Sequence, residues 1–278
     1  MRNTKNWLMM MLALPVLYAC DESDTVDTIA PEITLEDPIS GEAFAAGSTM
    51  HVHGDLSDDQ GLATYSISIH SNFDGHSHGR VLAQFAFSES YEAEGTAAHI
   101  EQEIEIDATA TAGPYHFIVE AIDAAGNATS FQDDSSIEIE IWIENEDMAH
   151  IHFTDENDVE IDEIEGVLGE NLPIYGEVED ESGTLDHVYI MVGHLEEGED
   201  EDHDHSHGRV LEDHIFEEEY EVEGESSVLL QDLLASESIV VNQEDMDELE
   251  DGEHLYLIVQ ATDEDGNVSR STIEIHFD

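Results

Sequence analysis

Tyr115-His116-Phe117-Ile118-Val119-Glu120-Ala121-Ile122-Asp123, followed by Gly126-Asn127, is the stretch that decides the fold. Tyr115, Phe117 and Val119 alternate with His116 and Ile118. Large apolar side chains at every second position mark a strand with one face on a core, because successive side chains point to opposite faces. Asp123 to Asn127 then reads as a tight turn, where Gly and Asn accept positive φ. The stretch returns 140 residues later as Val259-Gln260-Ala261-Thr262-Asp263 with Gly266-Asn267. We read both Asp-x-x-Gly-Asn segments as turns in preference to calcium ligands.

Working outward, the duplication extends through most of the chain. His76-Ser77-His78-Gly79-Arg80-Val81-Leu82 recurs as His205-Ser206-His207-Gly208-Arg209-Val210-Leu211, at an offset of 129. Phe87, Tyr91 and Gly95 match Phe216, Tyr220 and Gly224 at that offset, and Gly54 and Gly61 match Gly176 and Gly183 at 122. The offset grows in two steps, so the second copy carries two insertions. One is the acidic, histidine-rich segment 196–204. The other is 236–251, whose periodicity is ambiguous. Tyr65, Ile67 and Ile69 alternate with Ser66, Ser68 and His70. Ile137, Ile139, Ile141 and Ile143 alternate with Glu138, Glu140, Trp142 and Glu144. Short alternating runs at ~8–15-residue spacing, with Gly, Asp and Asn between them, predict antiparallel strands. Seven or so of them in ~110 residues predict a β-sandwich.

Pro31-Glu32-Ile33-Thr34-Leu35 through Gly47, with the closing Asp-x-x-Gly-Asn turns, resembles bacterial Ig-like modules. The predicted fold class is all-β: two tandem Ig-like (E-set-like) antiparallel β-sandwiches after a lipoprotein signal peptide. The predicted divisions are 1–19 signal peptide, 20–30 acidic tether, 31–145 domain 1 and 146–278 domain 2.

The chain has 278 residues, 70 Asp plus Glu against 5 Lys plus Arg, and a formal net charge of −65. Such a surface repels phosphate backbones, which argues against nucleic-acid binding, and it disfavours electrostatic binding to anionic membranes. With 40% hydrophobic residues the chain can still build cores. A single cysteine excludes an intramolecular disulfide.

That cysteine belongs to the N-terminus. Arg2 and Lys5 precede an apolar run from Trp7 to Tyr18, too short to span a bilayer, which needs ~20 residues, but suited to a signal h-region. Leu17-Tyr18-Ala19-Cys20 resembles a bacterial lipobox, which implies lipidation at Cys20 and anchoring at the cell envelope, with the outer membrane or cell surface favoured. A chain starting at Cys20 keeps Arg80, Arg209 and Arg270 and no lysine. Arg80 and Arg209 share one repeat position, where a planar fork suits a carboxylate of the acidic body.

Histidine is the anomaly: 17 in a chain that otherwise avoids positive charge. Neutral imidazole is the commonest protein ligand for zinc, copper and nickel. In repeat 1 the candidate ligands are His70, His76, His78 and His116, with His99 as a further strand-borne candidate. If His70 ends one strand and His116 begins its neighbour, both rings lie at the same end of a sandwich, on the polar face. In repeat 2 the candidates are His194, His203, His205 and His207, with nearby carboxylates. His51 and His53 form a weaker i,i+2 pair. The lone His187, His214, His254 and His276 read as solvated polar-face residues.

Ile69 to His78, Gly113-Pro114-Tyr115-His116-Phe117 and His99-Ile100 resemble a family of small Ig-like domains of unknown function in secreted Gram-negative lipoproteins. That family carries Ile-His-x-Asn-Phe-Asp-x-His-x-His and Gly-x-Tyr-His-Phe motifs. The resemblance covers about residues 31–143, and repeat 2 reads as a diverged copy, with Tyr256 where His116 falls and Val228 opposite His99. It implies fold and location and no established activity.

The expected function is capture, buffering or delivery of a divalent transition metal at the envelope. Zinc comes first, Cu2+ or Ni2+ next, and Ca2+ ranks lower. An outer-membrane transporter or surface protein would be the protein partner. The alternative is a structural or adhesive module whose carboxylates are screened by calcium or salt. No HExxH or GxSxG motif points to an enzyme.

Overall fold

The alternation read from the sequence becomes strand throughout the computed structural model, which describes residues 27–72, 84–132, 135–194, 214–247, 249 and 254–277. Of the described residues 55% are strand and 6% helix, a nearly all-β fold. In the first half the strands are β1 (Glu32–Asp37), β2 (Ala43–Ala45), β3 (Thr49–Ser57), β4 (Leu62–Ser71), β5 (Phe87–Glu92), β6 (Ala97–Glu105), β7 (Gly113–Asp123) and β8 (Ile137–Glu144). They form a three-stranded sheet, β1-β3-β6, and a five-stranded sheet, β2-β8-β7-β4-β5. Pairing is antiparallel except for the short edge strand β2, which runs parallel to β8.

The core lies between the two sheets. Ile67, Tyr115, Phe117, Val119, Ile141 and Ile143 from the larger sheet are 0% exposed, as are Met50 and Val52 from the smaller. Each such side chain contributes roughly 1.5–3 kcal/mol by leaving water. β7 is central and buried on both faces. His116 and Ile118, on its outer face, are only 8% and 9% exposed.

The second half has β9 (His150–Thr154), β10 (Glu163–Gly166), β11 (Tyr175–Glu179), β12 (Leu185–His194), β13 (Phe216–Glu221), β14 (Ser227–Leu229), β15 (Leu255–Asp263) and β16 (Val268–Phe277). Its sheets are β14-β11-β9 and β10-β16-β15-β12-β13. The five-stranded orders of the two halves correspond strand for strand, including a parallel edge strand. Of two short helices in this half, α1 (Leu230–Leu233) precedes the segment of ambiguous periodicity and α2 (Gln243–Asp247) lies within it. Leu230, Ile239 and Val241 around them are buried in the second core, so apolar anchoring rather than alternation sets this region.

Both Asp-x-x-Gly-Asn segments are turns. Asp123 N–H donates to Asn127 O, and Asp263 N–H to Asn267 O, each at 3.0 Å. Gly126 and Gly266 hold φ of 96° and 87°. The second turn also joins the halves. Asn267 Oδ1 accepts from Ala112 N–H at 2.9 Å and from Asn145 Nδ2 at 2.7 Å. Val268 N–H donates to Ala112 O at 2.9 Å. Arg270 stacks its guanidinium 4.6 Å over the Trp142 ring.

Candidate metal centre

The β4–β7 register places His70 directly opposite His116. Both belong to the parity that points away from the core, as the alternation requires. Their rings meet edge to face, with centroids 5.1 Å apart and planes at 84°. His70 is exposed at the strand end, while the His116 side chain is 10% exposed. His116 Nδ1 lies 3.2 Å from Glu138 Oε1 on β8. In the neutral tautomer whose Nδ1–H points to this carboxylate, the lone pair lies on Nε2. A carboxylate that orients an imidazole in this way is the usual outer shell of a histidine metal ligand.

The base of the adjoining loop is tied down on both sides. Asn72 N–H donates to Pro114 O at 2.9 Å, and Asn72 Nδ2 donates to Glu140 Oε2 at 3.1 Å. Ser71 Oγ donates to Gln84 Oε1 at 2.7 Å. Glu140 is a hub: Trp142 Nε1 donates to its Oε1 at 3.1 Å, and Arg270 approaches the same atom at 3.9 Å. The loop base of repeat 1 is thereby linked to repeat 2. His76, His78 and Arg80 lie outside the described residues, as do His203, His205, His207, Arg209, the segment 196–204 and Cys20.

The register sets two further candidates apart from this pair. His99 does not join the pair. It stands on β6 of the other sheet, opposite Asp55, with its Nδ1 2.5 Å from Asp55 Oδ1. It also sits near the end of the sandwich away from His70, close to Gly95, whose carbonyl accepts the N–H of Leu62 at the start of β4. Parity correctly gives an outward face but cannot say which sheet bears it. His194 is not the counterpart of His70. Leu62 pairs with Asp123 and Leu185 with Asp263, each followed by a register shift, so counting upward aligns Gly193 with His70 and His194 with Ser71. Gly193 faces Tyr256 where His70 faces His116. The outer face of repeat 2 instead packs Met191, Tyr256 and Ile258 into a small apolar cluster.

His51 and His53 each face a carboxylate. His51 Nδ1 lies 3.6 Å from Glu103 and His53 Nδ1 3.4 Å from Asp37, with the two rings 6.5 Å apart. Among the described residues, the group of three ligand-type side chains with donor atoms mutually within 4.8 Å is Asp27, Asp58 and Asp59. Desolvation, then the charges of Asp27 and Asp58, raise the Asp59 pKa above the usual carboxylate range. Asp58 also serves its own turn, accepting the N–H groups of Gln60 at 2.9 Å and Gly61 at 2.5 Å on Oδ1.

With the fold and this geometry in hand, comparison with known proteins adds a family-model match to part of the chain and two structural likenesses. Residues 18–142 match a family model described as a domain of unknown function, DUF4625. No curated protein matches the chain. Among solved structures, the chain is similar to fibronectin(III)-like modules of Clostridium thermocellum CbhA, with 14% identity, 88% of this chain and 93% of that chain covered, and a TM-score of 0.25. It is also similar to the periplasmic chaperone SfaE, with 12% identity, 90% and 100% coverage and a TM-score of 0.26. Among the described residues no helix is long and apolar enough to cross a membrane.

Proposed function

We propose that this protein is a lipid-anchored envelope protein that binds a divalent transition metal, zinc first, through His70 and His116 together with His76 and His78 of the adjoining loop. The observation that carries the reading is the cross-strand His70–His116 pair, 5.1 Å between centroids, at the base of a histidine-rich loop. Two imidazoles fixed by strand register, one of them oriented by Glu138, form half of a tetrahedral site before any ion arrives. His76 and His78 of the adjoining segment would supply the remaining ligands. In repeat 2, His194, His203, His205 and His207 with the acids of 196–204 act as a capture loop that raises local cation concentration. Lipidation at Cys20 would keep this activity at the envelope, for buffering or delivery to a membrane partner. The reading is non-enzymatic.

Zinc titration by calorimetry on the whole chain tests this. The His70→Ala/His116→Ala variant should lose one tight equivalent. An unchanged affinity and stoichiometry would leave the structural or adhesive surface module as the better account.

A further inference from the structure

Repeat 2 has its own histidine–carboxylate cluster, on strands where sequence reading gave only solvated residues. β10 runs parallel to β16, with Glu163 opposite Glu274 and Glu165 opposite His276. β15 runs antiparallel to β16, with Tyr256 opposite Glu274, and His254 lies just before β15. Three segments distant in sequence thus deliver His254, His276, Glu274 and Glu163 to one corner of the sheet.

The contacts there are close. His254 Nδ1 abuts Glu274 Oε1. His276 Nε2 lies 3.2 Å from the same oxygen and 3.5 Å from Glu163 Oε2. The two rings meet edge to face, with centroids 6.3 Å apart. Yet Glu274 Oε1 is shut off from solvent and has no hydrogen-bond partner. Two imidazole nitrogens therefore close on a buried carboxylate oxygen without the alignment of a hydrogen bond. A buried acceptor without a hydrogen bond is costly, and nitrogen and oxygen donors gathered at one corner of the sheet can close on a cation.

We infer that His254, His276, Glu274 and Glu163 bind one divalent transition metal ion. Two imidazoles and two carboxylates suit four-coordinate Zn2+ and related ions, whereas Ca2+ and Mg2+ prefer all-oxygen shells. His254, His276 and Glu274 do not form a trio with donor atoms mutually within 4.8 Å, so the rings close on the ion by a side-chain turn. The His254 and His276 side chains are 51% and 42% exposed and can turn without disturbing the core. This site is separate from the His70–His116 centre and does not rest on it.

The test titrates Zn2+ alone into three forms of the whole chain: wild type, His254→Ala/His276→Ala and His70→Ala/His116→Ala. Loss of one zinc equivalent in the first double variant, with its thermal melt retained, is the expected result. Loading with Co2+ should show the visible bands of nitrogen–oxygen coordination falling in parallel. Full zinc stoichiometry and affinity in that variant overturn the site. If it fails to fold, His276→Gln alone carries the test, with the same loss expected. The other double variant separates the two centres, because it should keep the repeat 2 ion whatever happens in repeat 1.

Discussion

Gly54 shows how a single residue sets a strand pairing. A Cβ there would sit 2.5 Å from Thr34 O and 3.3 Å from Leu35 Cα, inside the β1–β3 ladder. Gly176, its sequence match in repeat 2, faces His152 O in the same way. Gly54→Ala should cost about 1–3 kcal/mol by overpacking, read as a lower urea midpoint; an unchanged midpoint would mean that β1 is not held there. The two turn aspartates make a second residue-level case. At Asp123, burial pushes the pKa up, but hydrogen bonds from the Asn127 side chain and from the backbone of Asn127 and Gly126 outweigh it, and the net shift is downward. At Asp263, burial and the charge of Asp180 outweigh the Asn267 bonds, and the shift is upward. The signs follow. Asp123 supports folding above its unfolded pKa of ~3.9 and loses that support as pH falls through its folded value. Asp263 opposes folding above its folded pKa, so acidification toward ~3.9 relieves it. Asp263→Asn should therefore remove a gain in stability between pH 7 and 4, and Asp123→Asn should soften the loss below pH 4. Urea midpoints across pH 3–7 check both; variants that track the wild type would refute the assignment.

Strands were the most legible elements. Tyr115, Phe117 and Val119 announce the face of β7, and with His70 near the end of β4 the facing pair could be anticipated once the two strands are taken as neighbours in an Ig-like sandwich. What parity leaves open is the sheet and the partner. His99 was read onto the right face but belongs to the other sheet. His194 stands one position beyond the place of His70, which the register assigns to Gly193. The His254–His276–Glu274–Glu163 corner depends on a parallel β10–β16 pairing between distant segments, which leaves little local trace; the i,i+2 pair Glu274 and His276 is the one sequence signal that could have flagged it. The β7–β8 pairing carries a further consequence. Glu138 fixes His116, so Glu138→Ala should weaken zinc binding by roughly 10–100-fold while leaving His116 in place. An affinity equal to wild type would mean that His116 is not a ligand oriented in this way.

Across the whole molecule, two features act together. The halves meet through Asn267, Ala112 and Asn145, and through Arg270 between Trp142 and Glu140. Arg270→Ala should cost about 0.5–2 kcal/mol by loss of the stacked cation and should speed proteolysis between the halves; an equal cleavage rate would show that the junction does not depend on it. Charge sets the other condition. At a net −65, self-repulsion opposes the compact state, and the screening length falls from ~10 Å at 0.1 M to ~3 Å at 1 M salt. The melting temperature should therefore rise markedly with NaCl over that range, and a salt-independent melt would contradict this. The same charge concentrates cations around the histidine centres, which joins the molecule's electrostatics to its proposed role. Nitrogen-detected NMR of the histidine rings, recorded on the whole chain as Zn2+ is added, addresses that role most directly. The account predicts that the ring nitrogens of His70 and His116 shift together and saturate at one equivalent for that centre, with Nε2 of His116 showing the metal-bound shift. Unmoved His70 and His116 signals at saturating zinc would contradict it.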